Sequence, residues 1–212
     1  MTIVAPSLLS SDTFQLENQL KEIRDAGASY LHIDVMDGHY VSNINFGPKY
    51  VKDLRPHTDL TLDCHVMVEN PEEIIDALMA AGADIITFHP ETTRHAYRLI
   101  EHIQSQGKKA GIAFDPSVSV STYQSLLPLV DQVLIMTVTP GFGGQKFIDE
   151  TLEKVKEVSE LKAQNYYGYD IEVDGGINDK TGTQAKKAGA NVLVAGSYVF
   201  TGSIKENIAK LK

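Results

Sequence analysis

The stretch Leu31-His32-Ile33-Asp34-Val35-Met36-Asp37-Gly38 sets a histidine and a carboxylate into an apolar run. Read as a strand, it places His32, Asp34 and Met36 on one face and Leu31, Ile33 and Val35 on the other, because successive side chains alternate. Thr61-Leu62-Asp63-Cys64-His65-Val66-Met67 repeats the pattern, with His65 and Met67 on the face of Asp63 and Cys64 on the opposite face. In Asp170-Ile171-Glu172-Val173-Asp174-Gly175-Gly176, Ile171 and Val173 form the apolar face and Asp174 closes the polar one. A buried histidine or carboxylate is costly unless it is paired or bound to a metal. His32, Asp34, His65 and Asp174 together form a two-nitrogen, two-oxygen donor set, which suits a divalent Zn, Fe, Mn or Co ion. One such ion per chain is the expectation. The alternative is a polar network without an ion; convergence of four such groups favours the ion. Cys64, on the apolar face, is expected to pack and not to ligate.

Three glycine clusters carry a second kind of chemistry. Thr139-Pro140-Gly141-Phe142-Gly143-Gly144-Gln145, Asp174-Gly175-Gly176-Ile177-Asn178 and Ala195-Gly196-Ser197-Tyr198 each follow a predicted strand. Glycine admits close approach of the backbone, and successive N–H groups can cradle an anion. One cluster is common in any loop, whereas three on the last three strand ends point to a phosphate monoester. No lysine-bearing phosphate loop of the nucleoside-triphosphate type is present. Met36, Met67 and Met136 stand beside inward polar positions, so they form either an apolar cap that keeps water from a charged intermediate or plain packing. His39, His57, His89, His95 and His102 are read as surface or structural residues, with His89 set apart by its place at a strand end.

The elements that must position these residues alternate along the chain. Strands are predicted at 3–8, 30–35, 61–67, 84–89, 109–114, 132–138, 170–174 and 192–195. Helices are predicted at 14–26, 71–81, 94–106, 120–130, 149–164, 180–188 and 203–212, with a short one near 49–54. Asn70 is the expected N-cap of the helix at 71–81, ahead of a proline and two glutamates in its first turn. Three helices end in Ala-Gly-Ala, at 26–28, 81–83 and 188–190, where glycine supplies a left-handed cap. Eight strand–helix units imply a parallel sheet covered by helices. An open doubly wound sheet would carry a Gly-rich turn after its first strand, but that position reads Pro6-Ser7-Leu8-Leu9-Ser10-Ser11-Asp12. Late glycine loops instead match a single (β/α)8 TIM barrel spanning residues 1–212, with its phosphate site after strands seven and eight.

The chain has 212 residues, 42% hydrophobic and 22% charged, with 19 Lys and Arg against 28 Asp and Glu for a net charge of −9. That balance excludes disorder and argues against nucleic acid or an anionic membrane as a partner. An anionic substrate must be held locally. A single cysteine and an N-terminus without a basic or long apolar segment point to the cytoplasm, and no apolar run is long enough to span a membrane.

The motifs resemble those of the ribulose-phosphate 3-epimerase family along nearly the whole chain. They are Ala5-Pro6-Ser7, LHIDVMDGHYV at 31–41, NINFGP at 43–48, DCHVMVENP at 63–71, MTVTPGFGGQKFI at 136–148, EVDGGI at 172–177 and GANVLVAGSYVF at 189–200. The resemblance implies a (β/α)8 barrel that interconverts D-ribulose 5-phosphate and D-xylulose 5-phosphate, a reaction of the pentose phosphate pathway, with one divalent metal. It implies that His32, Asp34, His65 and Asp174 bind that metal and that Asp34 and Asp174 are the acid/base pair. Ser7 and His65 would contact substrate, while Gly141, Phe142, Gly143, Gly144, Gly175, Gly176, Gly196 and Ser197 would surround the phosphate. The expected partners are a small phosphorylated ketose and further copies of the chain in a homo-oligomer. Ser42, Thr139 and Asp115 depart from the residues usual in the family. The competing readings are an allulose-6-phosphate 3-epimerase, a metal-dependent aldolase, a decarboxylase and a sugar-phosphate sensor without catalysis. The strand at 61–67 lacks the lysine that such a decarboxylase usually needs.

Overall fold

Both faces of every long strand carry residues that must leave water, and the chain meets that demand with one curled sheet wrapped in helices. The computed structural model describes residues 2–212. Its strands are β1 (Ile3–Pro6), β2 (Tyr30–Asp37), β3 (Ile44–Asn45), β4 (Thr61–Met67), β5 (Ile85–Phe88), β6 (Lys109–Phe114), β7 (Gln132–Met136), β8 (Asp170–Asp174) and β9 (Val192–Ala195). They form one sheet in the order β1-β9-β8-β7-β6-β5-β4-β2-β3. All pairings are parallel except the short β2–β3 ladder, where Met36 faces Asn45 and Asp37 faces Ile44. A parallel bridge between Ser7 and His32 also ties the end of β1 to β2.

Eight of the nine strands are those expected; β3 is an addition, too short to give a periodic signal. The helices are α1 (Leu16–Asp25), α2 (Pro48–Leu54), α3 (Ile75–Ala81), α4 (Ala96–Ser105), α5 (Leu152–Asn165), α6 (Asp179–Ala188), α7 (Ser197–Phe200) and α8 (Ile204–Leu211). Two expectations require correction. The segment Val120–Leu129 is 3-10 in character and not α-helical, because Tyr123 leaves helical angles and Pro128 lacks the N–H that an α turn needs. Asn70 makes no side-chain cap; the turn after it is a 3-10 segment at Pro71–Glu73, and the α-helix starts only at Ile75.

The sheet's outer face meets the helices. Leu31, Ile33, Leu62, Cys64 and Val173 are fully buried in one cluster with Ile23, Leu78, Ile100, Val155 and Ile208 of the helices. Cys64 is thus a packing residue, and burial pushes its thiol pKa up. The inner face holds His32, Asp63, His65 and Glu172, all with no exposed surface. Register places them: Asp34 pairs with His65 and His32 with Asp63 across β2–β4, and Met136 pairs with Asp174 across β7–β8.

Candidate active site

Four donor atoms face one another at the C-terminal ends of β2, β4 and β8. His32 Nε2 lies 3.7 Å from Asp34 Oδ1 and 3.8 Å from Asp174 Oδ2. His65 Nδ1 lies 3.8 Å from Asp34 Oδ1 and 3.9 Å from Asp174 Oδ2. These separations exceed a hydrogen bond, and both nitrogens are buried without any hydrogen-bond partner. Buried polar atoms are almost always satisfied, so two orphaned nitrogens aimed at the same two carboxylate oxygens mark a place for a shared cation. The donors fit a divalent ion in type and in number.

A second layer orients them. Asp63 Oδ2 accepts a hydrogen bond of 2.9 Å from His32 Nδ1, which turns Nε2 toward the donor set. Gln132 Nε2 donates to Asp63 Oδ1 at 3.1 Å and to Glu172 Oε2 at 2.7 Å. The Ser7 hydroxyl donates to Asp34 Oδ2 at 2.7 Å, so Asp34 offers one oxygen to the histidines and the other to Ser7. Asp63, Gln132 and Glu172 were not singled out from the sequence. The alternation that found His65 and Asp174 places Asp63 and Glu172 on the same faces, so the signal was there.

Electrostatics separates the two carboxylates that line the cleft. Burial disfavours charge on Asp34, but His32, His65 and the Ser7 hydroxyl outweigh it and hold the carboxyl below its usual range. Burial lifts Asp174 to about 7, helped by the charges of Asp34 and Asp63 and opposed by His32. Burial also drives His65 down to about 4. For His32 burial acts against the charge, yet Asp34, Asp63 and Glu172 raise its pKa well above the ordinary value. Glu172 is raised well above the carboxylate range by burial and by the Asp63 charge.

Above the donors opens a cleft with about 520 Å³ of empty volume. Ser7, Asp34 and Asp174 line it, as do the buried Met36, Met67 and Met136. The glycine turns contribute Gly141, Phe142, Gly143, Gly144, Gly175, Gly176, Gly196 and Ser197 to its wall. Glycine is required at Gly176, where φ is +64° and a Cβ would come within 2.6 Å of the Phe147 backbone nitrogen. His65, expected to contact substrate, does not reach the cleft wall; like His32 it is fully buried, its ring enclosed between the donor set and His89. His89 is buried completely, whereas His39, His57, His95 and His102 are exposed. Ser42, Thr139 and Asp115 line one neighbouring cleft together, with Tyr40 and Glu91.

A largely parallel α/β sheet with a His–Asp donor cluster at its strand ends, flanked by glycine turns suited to an anion, defines a class of small-molecule enzyme whose chemistry sits at one end of the sheet. Within that class, the chain belongs to the ribulose-phosphate 3-epimerase family, whose sequence profile matches residues 3–200. It is 48% identical to the ribulose-phosphate 3-epimerase of Bacillus subtilis (strain 168), across 94% of this chain and 93% of that protein. Against the chloroplastic ribulose-5-phosphate-3-epimerase of Arabidopsis thaliana it is 44% identical, across 93% of this chain and 71% of the relative. Among solved structures, 3-hexulose-6-phosphate synthase superposes with a TM-score of 0.69 at 19% identity, covering 100% of this chain and 98% of the other. A tryptophan synthase α-subunit of Pyrococcus furiosus gives 0.71 at 15% identity, covering 99% and 96%. These two share the fold.

Proposed function

We propose that this chain is a metal-dependent 3-epimerase that interconverts D-ribulose 5-phosphate and D-xylulose 5-phosphate on a closed (β/α)8 barrel. Barrel closure is supported by the Ser7–His32 bridge and the Ser7–Asp34 hydrogen bond, which join β1 to β2. The observation that carries the chemistry is the pair of unpartnered nitrogens, His32 Nε2 and His65 Nδ1, facing Asp34 and Asp174. His32, Asp34, His65 and Asp174 would hold one divalent ion, Zn, Fe, Mn or Co, which supplies Lewis-acid polarisation of the ketose oxygens.

Asp34, kept ionised, takes the C3 proton on one face of the substrate. Asp174, on the opposite side of the cleft, delivers a proton on the other face. In the reverse direction the two exchange roles. Ser7 orients the Asp34 oxygen that faces the cleft, and the glycine turns cradle the phosphate with backbone N–H groups. Met36, Met67 and Met136 keep water from the planar enediolate between the two carboxylates. The cytoplasm is the proposed location, resting on a lone buried cysteine; among the described residues no helix is long and apolar enough to cross a membrane. A homo-oligomer is proposed as well, supported by the apolar residues Phe14 and Ile44, which are 95% and 78% exposed in the single chain.

The test is turnover of pentulose 5-phosphates and hexulose 6-phosphates, side by side, after the protein is stripped and reloaded with each ion in turn. The expected result is loss of activity on stripping, recovery with at least one of the four ions, and preference for the pentulose. Full activity in the stripped protein would remove the metal from the account, and preference for the hexulose would reassign the substrate.

A further inference from the structure

His89 contacts no substrate-facing atom, yet it is buried without exposed surface against one of the four donors. Its Nε2 lies 2.9 Å from Nε2 of His65. Its Nδ1 lies 2.9 Å from the Tyr40 hydroxyl oxygen and 3.3 Å from Glu91 Oε1. The Tyr40 hydroxyl donates to the same Glu91 oxygen at 2.9 Å. The rings stack in a tilted column, with centroids 5.1 Å apart for His65–His89 and 4.7 Å for Tyr40–His89.

The chain of contacts has one consistent direction. The Glu91 carboxylate only accepts hydrogen bonds. Tyr40 gives its hydrogen to Glu91, so its oxygen is left to accept. His89 Nδ1 therefore meets two acceptors and carries the hydrogen. A neutral imidazole protonated there has a bare Nε2, and two hydrogens cannot point at each other across the gap to His65. The His65 Nε2 must then be the donor, which leaves its Nδ1 bare.

We infer that His89, anchored by Tyr40 and Glu91, is a positioning residue that holds the His65 proton on Nε2 and thereby aims the Nδ1 lone pair of His65 into the donor set. This rests on the reading of that set as a divalent-ion site. The two histidine donors are thus oriented by different devices: His32 by the carboxylate of Asp63 directly, and His65 by a second imidazole that relays to a carboxylate farther out. The outer members, Tyr40 and Glu91, belong to the wall of the neighbouring cleft and lie outside the donor set.

The experiment measures zinc affinity by competition with a chelator, together with the His65 tautomer by nitrogen-15 NMR in zinc-free and zinc-loaded protein. In the wild type His65 should carry its proton on Nε2 in both states. His89→Phe should bind zinc about 10–100-fold more weakly, the range for loss of a partner that orients a metal ligand, and should release His65 to both tautomers when zinc-free. His89→Gln should recover most of the affinity, since its amide oxygen can accept from His65. A folded His89→Phe protein with wild-type affinity and an unchanged tautomer would overturn the assignment while leaving the donor set intact. If His89→Phe does not fold, the Tyr40→Phe, Glu91→Gln double variant decides: a several-fold loss of affinity with a mixed tautomer supports the assignment, and no change in either overturns it. Failure of the wild type itself to bind zinc would overturn the donor set and this assignment together.

Discussion

At the residue scale the site depends on keeping two carboxylates with opposite tendencies within reach of the same two imidazoles. Asp174 pays for its enclosure in the zinc-free protein: its folded-state pKa, lifted by burial to about 7, lies above the ordinary 3.8. Between those two values the folded chain binds a proton that the unfolded chain does not, so this group's contribution to stability declines as pH rises through that window. A metal ion needs the carboxylate, so uptake near pH 6 must expel that proton. Calorimetry at pH 6 in buffers of different ionisation enthalpy should show about one proton fewer released per zinc in Asp174→Asn than in the wild type. An equal count would mean that Asp174 is already ionised in the zinc-free site. The four donors were legible because strand alternation alone sorts His32, Asp34, His65 and Asp174 from their apolar neighbours. The roles of Asp63 and Glu172 were not legible, because they are set by Gln132, which reaches them across β4, β7 and β8; nothing in the local pattern of Gln132 announces that span. His89 stood apart by its place at a strand end, but its partners were not legible for the same reason, since Tyr40 and His65 lie far along the chain.

At the scale of elements, the three Ala-Gly-Ala endings were sound guides. Gly27, Gly82 and Gly189 all adopt positive φ, at 71°, 109° and 118°. At Gly189 a side chain would also run into Ser159 of α5. Gly189→Ala should therefore cost about 1–2 kcal/mol from the left-handed backbone alone. For a chain of this size that corresponds to a melting temperature lower by about 2–8 °C. Zinc affinity should stay unchanged, because the strain falls at the end of α6, away from the strand ends that carry the donors. A melting temperature equal to the wild type would show that α6 can end without this cap. Boundaries were less legible than identities. The segment 120–129 has the apolar content of a helix, but Pro128 and the Tyr123 backbone break the α ladder. Strand β3 pairs for two residues only, so tertiary contact and not periodicity creates it. Sheet register, which sets Asp34 beside His65, lies wholly beyond a one-dimensional pattern.

At the scale of the molecule, curling of the sheet brings β8 to the adjacent pair β2 and β4 and so makes one site. β2 and β8 are far apart in the strand order, yet the ends of both reach the same cleft through Asp34 and Asp174. The net charge of −9 gives no general attraction for a phosphate ester, which is why the proposed function assigns its recognition to the glycine turns. In the proposed mechanism a planar enediolate lying between two carboxylates from different strands would present one face to each, which is what would make inversion at a single carbon possible. The most direct measurement is epimerisation of D-ribulose 5-phosphate in deuterated water, followed by NMR of the xylulose product. The account predicts deuterium at C3 of the product, no cleaved fragments, and loss of inversion by about 100-fold or more in each of Asp34→Asn and Asp174→Asn. Product that keeps its original hydrogen at C3, or trappable fragments from a broken C3–C4 bond, would contradict it.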